Sequence, residues 1–122
     1  MQINIFLSGR KYSIILFYLS IKVTSFIESI TNIIKDPRGM DHTFIIVGDA
    51  NIDITIQDSD DNTRQYMHGM KELNLIQLIT SPTTINNSNI DHIWISDKDI
   101  NHFAEVRNTY YSDHMPLLLD IN

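Results

Sequence analysis

The amino-acid sequence predicts an α/β domain, on three observations. Apolar runs rich in Ile, Leu, Val and Phe, at residues 13–19, 43–48 and 117–121, have the length and composition of strands. Between the first two the hydrophobic period changes: Phe26, Ile27, Ile30, Ile33 and Ile34 follow the i, i+3, i+4, i+7, i+8 spacing of one helix face. Side chains able to do chemistry also stand where strands end: Asp49 with Asn51, Asp91 beside His92, and Asp113 with His114. Open α/β sheets often present a site in this way.

Taken in order, residues 1–7 alternate with Ile3, Ile5 and Leu7 on one side, which predicts a short strand. Ser8-Gly9-Arg10 is a turn signal, and residues 13–19 form a second strand suited to the middle of a sheet. The helix begins near Val23, where Thr24 or Ser25 is placed to cap it and Glu28 is the capping-box partner of Ser25. Pro37 and Gly39 end it. Residues 43–48 predict a strand buried on both faces. Residues 52–62 hold Asp53, Asp58, Asp60 and Asp61 but lack the glycine and distal glutamate of an EF-hand, so they read as a solvated loop.

Residues 62–73 return to a helical pattern, with Tyr66, Met70 and Leu73 on one side, the methionines as core filler and His68 at the surface or rim. Residues 75–79 predict a short strand, broken by Ser81-Pro82-Thr83-Thr84. Residues 90–96 alternate, with Ile90, His92, Trp94 and Ser96 on one face and Asp91, Ile93 and Ile95 on the other. Trp94 is expected in the core and His92 as a packing or rim residue. A carboxylate beside two isoleucines is costly to bury alone, so Asp91 needs a partner. Residues 98–106 read as a polar connection that regains order near Phe103, and Pro116 precedes a terminal strand at 117–121.

With 122 residues, one domain is the expectation. A hydrophobic fraction of 43% and a charged fraction of 20% suit a folded, water-soluble chain. The net charge of -6 excludes nucleic-acid binding through bulk basicity; such contact needs a local basic patch or a metal ion. The absence of cysteine excludes disulfides and thiolate zinc sites. Arg10 and Lys11 followed by ten mostly apolar residues resemble the core of a signal peptide, yet Lys22 stops the run short of a membrane span and no clear cleavage site follows. Residues 1–22 are therefore an N-terminal segment of uncertain nature, read as strands or as a mis-joined start, ahead of a domain at 23–122.

In Gly48-Asp49-Ala50-Asn51 a carboxylate and a carboxamide stand two residues apart at a strand end. On an extended backbone both would point the same way; a plain turn is the competing reading of this stretch alone. No G-x-S-x-G, Walker loop, G-x-G-x-x-G or H-E-x-x-H occurs. What remains is hydrolysis by activated water, with or without a metal.

The ordered set G-D-A-N at 48–51, I-D-H at 90–92 and S-D-H-M-P at 112–116 resembles the C-terminal half of the endonuclease/exonuclease/phosphatase superfamily. G-D-A-N-I-D-I, L-N-L-I-Q-L-I-T-S-P-T and N-I-D-H-I-W are most like the endonuclease domains of non-LTR retrotransposons. The resemblance spans about residues 23–122 and implies part of a four-layer α-β-β-α sandwich of the DNase-I type, mainly its C-terminal sheet and helices. It implies that Asp49 orients or deprotonates the attacking water, Asn51 bonds the phosphate or the water, and His114 donates to the phosphoryl oxygens. It further implies that Asp91 holds the His114 ring, Asp113 lies near a Mg²⁺ or Mn²⁺ ion, and Thr83 lines the phosphate side. DNA is the implied partner, with nuclear action following from a retroelement origin; no membrane is implied.

Two departures qualify these roles. The family's usual aromatic in G-D-F-N is Ala50 here, and burying a Phe is worth roughly 1.5–3 kcal/mol. The family's N-terminal half, with its early Asn and its metal-binding Glu, has no counterpart before Val23, and Glu28 on a helix is no substitute. The expectation is one sheet with an apolar face open to the missing half or to the rest of a longer polyprotein. An inactive retroelement remnant or interaction fragment is thus the alternative to a hydrolase, and a phosphatase for small phosphorylated substrates is a further one.

Overall fold

The computed structural model describes residues 1–56, 60–109 and 112–121. The chain runs β1 (Gln2–Leu7), β2 (Arg10–Tyr18), α1 (Val23–Ile34), a 3-10 turn (Pro37–Gly39), β3 (Thr43–Asp49), α2 (Asp61–Glu72), β4 (Ile76–Gln77), β5 (Asp91–Ile95), β6 (His102–Val106) and β7 (Leu117–Ile121). Five strands form one sheet in the order β1-β2-β3-β5-β4, and β6 and β7 form a second, two-stranded sheet. Strand β2 runs parallel to β3, with α1 as the crossover between them, and every other pairing is antiparallel.

Each face of the large sheet has its own apolar cluster, as the continuous apolar run of β3 requires. On one face Phe44, Ile46, Trp94, Ile15 and Leu19 pack with Phe26 and Ile30 of α1 and Tyr66 and Met70 of α2. On the other, Tyr12, Ile45, Ile93 and Ile95 pack with Ala104, Val106, Leu117, Leu119 and Ile121 of β6 and β7. Three layers result: helices, large sheet, small sheet. In β3 the alternation places Ile45, Val47 and Asp49 toward the small sheet.

The glycine before Asp49 is required by close approach. A Cβ on Gly48 would lie 1.9 Å from the Phe17 carbonyl oxygen of the neighbouring strand. Ala50 is buried among the helix-side residues, so the position where the family has an aromatic packs inward.

Several sequence expectations change. Helix α1 starts at Val23 with Lys22 as its N-cap and no side-chain cap bond, so Thr24 and Ser25 lie inside it. The apolar face, beginning at buried Val23, sets the start rather than the capping pattern. His102–Val106 is a strand, not a polar connection; its apolar residues alternate and only one side is covered. In the acidic loop Asp60 and Asp61 are exposed, yet Asp60 caps α2 by accepting from Thr63 N at 2.8 Å, and half-buried Asp53 ties the loop to Asn89. Asp58 lies outside the described residues. His92 and Trp94 are both fully buried, while His68 is exposed and pairs with Glu72 at 3.1 Å.

Candidate active site

The strand register gathers the polar clusters at one end of the large sheet. Tyr18 of β2 is paired with Asp49 of β3, and Asp49 with Asp91 of β5. Two carboxylates directly opposite one another repel, so the arrangement needs a cation or a proton donor beside it. His114 supplies one. Its Nδ1 lies 2.8 Å from Asp91 Oδ2 and its Nε2 is 4.0 Å from Asp49 Oδ2.

The segment that carries His114 is held by backbone. His114 bridges to Thr84, Met115 N donates to Thr83 O at 2.7 Å, and Ile85 N donates to Asp113 O at 3.1 Å. The ring is thereby placed over the ends of β3 and β5, and it remains 44% exposed while Asp91 is 15% and Asp49 24% exposed. Since Asp91 can only accept when ionised, Nδ1 of His114 is the donor and Nε2 faces the open side. The hydrogen bond that His114 donates to Asp91, with the charges of Asp91, Asp49 and Asp113 added, outweighs desolvation and raises the His114 pKa above its ordinary value.

Asn51 is not extended. Its φ is 53°, and its backbone N–H donates to Asp49 Oδ1 at 2.8 Å. The expectation that Asp49 and Asn51 point together along a strand is therefore corrected: the chain turns at Asn51, and the turn holds one oxygen of Asp49. Asn tolerates this left-handed backbone better than most residues. Asp49 Oδ2 stays on the His114 side.

Thr83 is also corrected. It is fully buried, and its Oγ1 accepts from Ile90 N at 3.1 Å and Asp91 N at 3.2 Å. It sets the start of β5 from beneath and does not line an open phosphate side. Asp113 is exposed beside His114 but stands outside the group of ligand atoms, from Asp49, Asp91 and His114, that lie within 4.8 Å of one another.

Two supporting residues, Tyr18 and Asp53, and one buried network escaped the sequence reading as parts of the site. Tyr18 is 66% exposed and neighbours Asp49 in register. Asp53 accepts from Thr55 N, Thr55 Oγ1 and Asn89 N; burial opposes its charge, but these bonds outweigh it and hold its pKa below the usual value. Beneath the site, Trp94 Nε1 donates to Tyr66 Oη at 2.8 Å, Tyr66 Oη lies 2.8 Å from His92 Nδ1, and His92 Nε2 lies 2.9 Å from Asn89 O. A carbonyl only accepts, so Nε2 carries the proton and Tyr66 donates to Nδ1. Trp94, Tyr66 and His92 are all satisfied with His92 neutral, and burial lowers its pKa. The parallel β2–β3 pairing brings Tyr18 to Asp49, which no local signal in the sequence encodes.

A mixed sheet with helices on one face, a second sheet on the other and an Asp-His-Asp cluster at the strand ends defines the DNase-I-like fold of the endonuclease/exonuclease/phosphatase superfamily. The sequence profile of the endonuclease–reverse transcriptase family matches residues 12–118, and the chain belongs to that family. Among solved structures, it is similar to the endonuclease domain of TRAS1, a telomere-specific non-LTR retrotransposon, with TM-score 0.77 and 22% identity over 98% of this chain and 60% of that one. An endonuclease/exonuclease/phosphatase family protein from Leptotrichia buccalis C-1013-b gives TM-score 0.74 and 15% identity over 99% and 53%. The human Nocturnin catalytic domain gives 0.60 and 23% over 94% and 48%. The chain thus spans about half to three-fifths of these structures' length. No curated protein sequence matches it. Among the described residues, no helix is long and apolar enough to cross a membrane.

Proposed function

We propose that this chain carries the water-activating part of an endonuclease-type phosphodiester hydrolase that acts on nucleic acid, DNA above all. The observation that supports this most is the Asp49–His114–Asp91 cluster, with one imidazole nitrogen held by Asp91 and the other left facing Asp49 and the open side.

Asp49 Oδ2 takes the proton of a water whose oxygen attacks phosphorus. The P–O bond to the leaving sugar oxygen breaks, and that oxygen takes up a proton. His114, whose pKa the bond to Asp91 raises, donates in its protonated form from Nε2 to the phosphoryl oxygens where charge builds. Asn51, beside Asp49 in the turn, contributes a carboxamide to the phosphate or the water. Tyr18 presents a hydroxyl at the rim. Thr83 acts as a positioning residue through the Asp91 backbone.

The donor chemistry fits a hard divalent ion. Mg²⁺ and Mn²⁺ prefer oxygen ligands and take one or two carboxylates, with water and phosphate completing the set. Asp113, next to His114 in the chain, is proposed to hold it, directly or through water, from outside the Asp49–Asp91–His114 group of ligand atoms. When bound, the ion neutralises charge on the phosphate.

A catalytically inactive remnant is the second reading, motivated by Asp113 standing outside the Asp49–Asp91–His114 group of ligand atoms. The test is cleavage of plasmid DNA and of inositol polyphosphates in Mg²⁺, with and without EDTA. EDTA-sensitive nicking with no release of inorganic phosphate supports the endonuclease reading. Phosphate release alone replaces it with the phosphatase, and no reaction on either substrate supports the remnant.

A further inference from the structure

The helix side of the large sheet is not apolar throughout. Ser13 stands two residues before Ile15 on the strand face that packs toward the helices, where an apolar side chain would be expected. It is buried, and its hydroxyl, with one proton, donates to Asn4 Oδ1 at 2.6 Å and so accepts from His42 Nδ1 at 2.7 Å. Asn4 is its partner across the β1–β2 pair, and Gln2 lies on the same face. These residues border a cavity of about 510 Å³ that is also lined by Asn32 of α1 and by Asp36 and Arg38 at the 3-10 turn. The cavity sits at the start of β3, beside Phe44, five residues along the strand from Asp49 and so roughly 17 Å from it. It shares no residue with the Asp49–His114–Asp91 cluster.

We propose that this cavity binds a single unstacked nucleobase, adenine above all. Its carboxamides carry the first argument. Asn4 gives its oxygen to Ser13 and keeps its Nδ2 protons, and the carboxamides of Gln2 and Asn32 have no partner among the described residues. A carboxamide presents a donor and an acceptor side by side, which matches N7 and the exocyclic amine of adenine. Arg38 carries the second. Its Nε and Nη2 bond the Asp36 carboxylate at 2.6–3.1 Å, so the guanidinium plane is held in place at the exposed rim. A fixed guanidinium plane is a surface on which an unpaired base stacks. Since Asp36 and Arg38 cancel in charge, recognition falls to the neutral polar groups of the base rather than to a phosphate. The volume is that of a small-molecule site. A free nucleoside and an unpaired strand offer the same base edge and face. The inference does not depend on the hydrolase reading.

The probes are adenosine, uridine and a single-stranded oligodeoxyadenylate, each titrated into the full 122-residue chain in EDTA, which withholds any divalent ion. Adenosine is expected to shift the NMR signals of Gln2, Asn4, Asn32 and Arg38. Uridine is expected to bind at least about fivefold more weakly, the lower end of what a bidentate base contact discriminates. Asn32→Leu and Arg38→Ala, both at exposed positions, are each expected to weaken adenosine at least about fivefold. Unchanged circular dichroism of each variant separates lost binding from lost folding. Adenosine binding with these shifts supports the site with a free nucleoside as the source of the base. Binding of the oligodeoxyadenylate alone, weakened in both variants, supports it with an unpaired strand as the source. Equal affinity for uridine, or an affinity indifferent to both substitutions, would overturn base recognition here. Shifts confined to the surroundings of Asp49 and His114, or no binding of any probe, would overturn it as well.

Discussion

Asp49 and Asp91 sit directly opposite one another on β3 and β5, and His114, from a different segment, bonds one and faces the other. Opposed carboxylates are a liability in a sheet. Here the Nδ1–H of His114 bonds Asp91, and the same contact gives His114 its raised pKa.

Asp91→Asn is predicted to lower the His114 pKa toward the ordinary value of about 6.5, because the largest cause of its rise is lost. An imidazole titration by NMR reads this directly. Any phosphodiesterase activity is expected to fall about 10–100-fold, as for other residues that orient a functional histidine.

The two histidines oppose one another in stability. His92 has a lowered pKa, so its contribution is present above about 6.5 and lost as pH falls toward the lowered value. His114 has a raised pKa, so its contribution is present below about 6.5 and lost as pH rises through the raised value. His92 is buried and His114 is 44% exposed, so His92 dominates. Urea midpoints are expected to fall from pH 7.5 to 5.5, and more steeply in His114→Gln.

Tyr66→Phe removes the partner of both His92 Nδ1 and Trp94 Nε1. Leaving a buried group unpaired costs roughly 1–3 kcal/mol, so a loss of at least that size is expected in chemical denaturation. A neutral outcome would mean that the network is not dry.

Gly48→Ala should destabilise more than Gly69→Ala. At Gly48 the new methyl meets the Phe17 backbone carbonyl, which cannot move without separating β2 from β3. At Gly69 it meets the side chain of Ile27, at 2.8 Å, which can rotate away. Overpacking of this kind costs about 1–3 kcal/mol, with Gly48 at or above the upper end, and thermal melts of the two variants rank them.

The parts of the fold visible in the sequence are those with strong period. The runs of β3 and β7 and the helix faces from Phe26 and Tyr66 all form where periodicity places them. Strand β6 was hidden because Glu105 and His102 interrupt a strand covered on one side. The three clusters Asp49, Asp91 and His114 were legible as strand-end residues. Their mutual distances, the turn at Asn51 and the burial of Thr83 were not, since each follows from non-local pairing. Tyr18 reaches Asp49 only through the parallel register of β2 and β3.

The central claim, that Asp49 activates water for phosphodiester cleavage, is tested most directly by Mg²⁺-dependent nicking of supercoiled plasmid. The full chain and its Asp49→Ala variant are compared at equal concentration. The predicted result is nicking by the chain and a loss of about 10²–10⁴-fold in the variant, the usual contribution of a positioned base. Equal nicking by both would contradict the role of Asp49, and no nicking by either would contradict the activity itself.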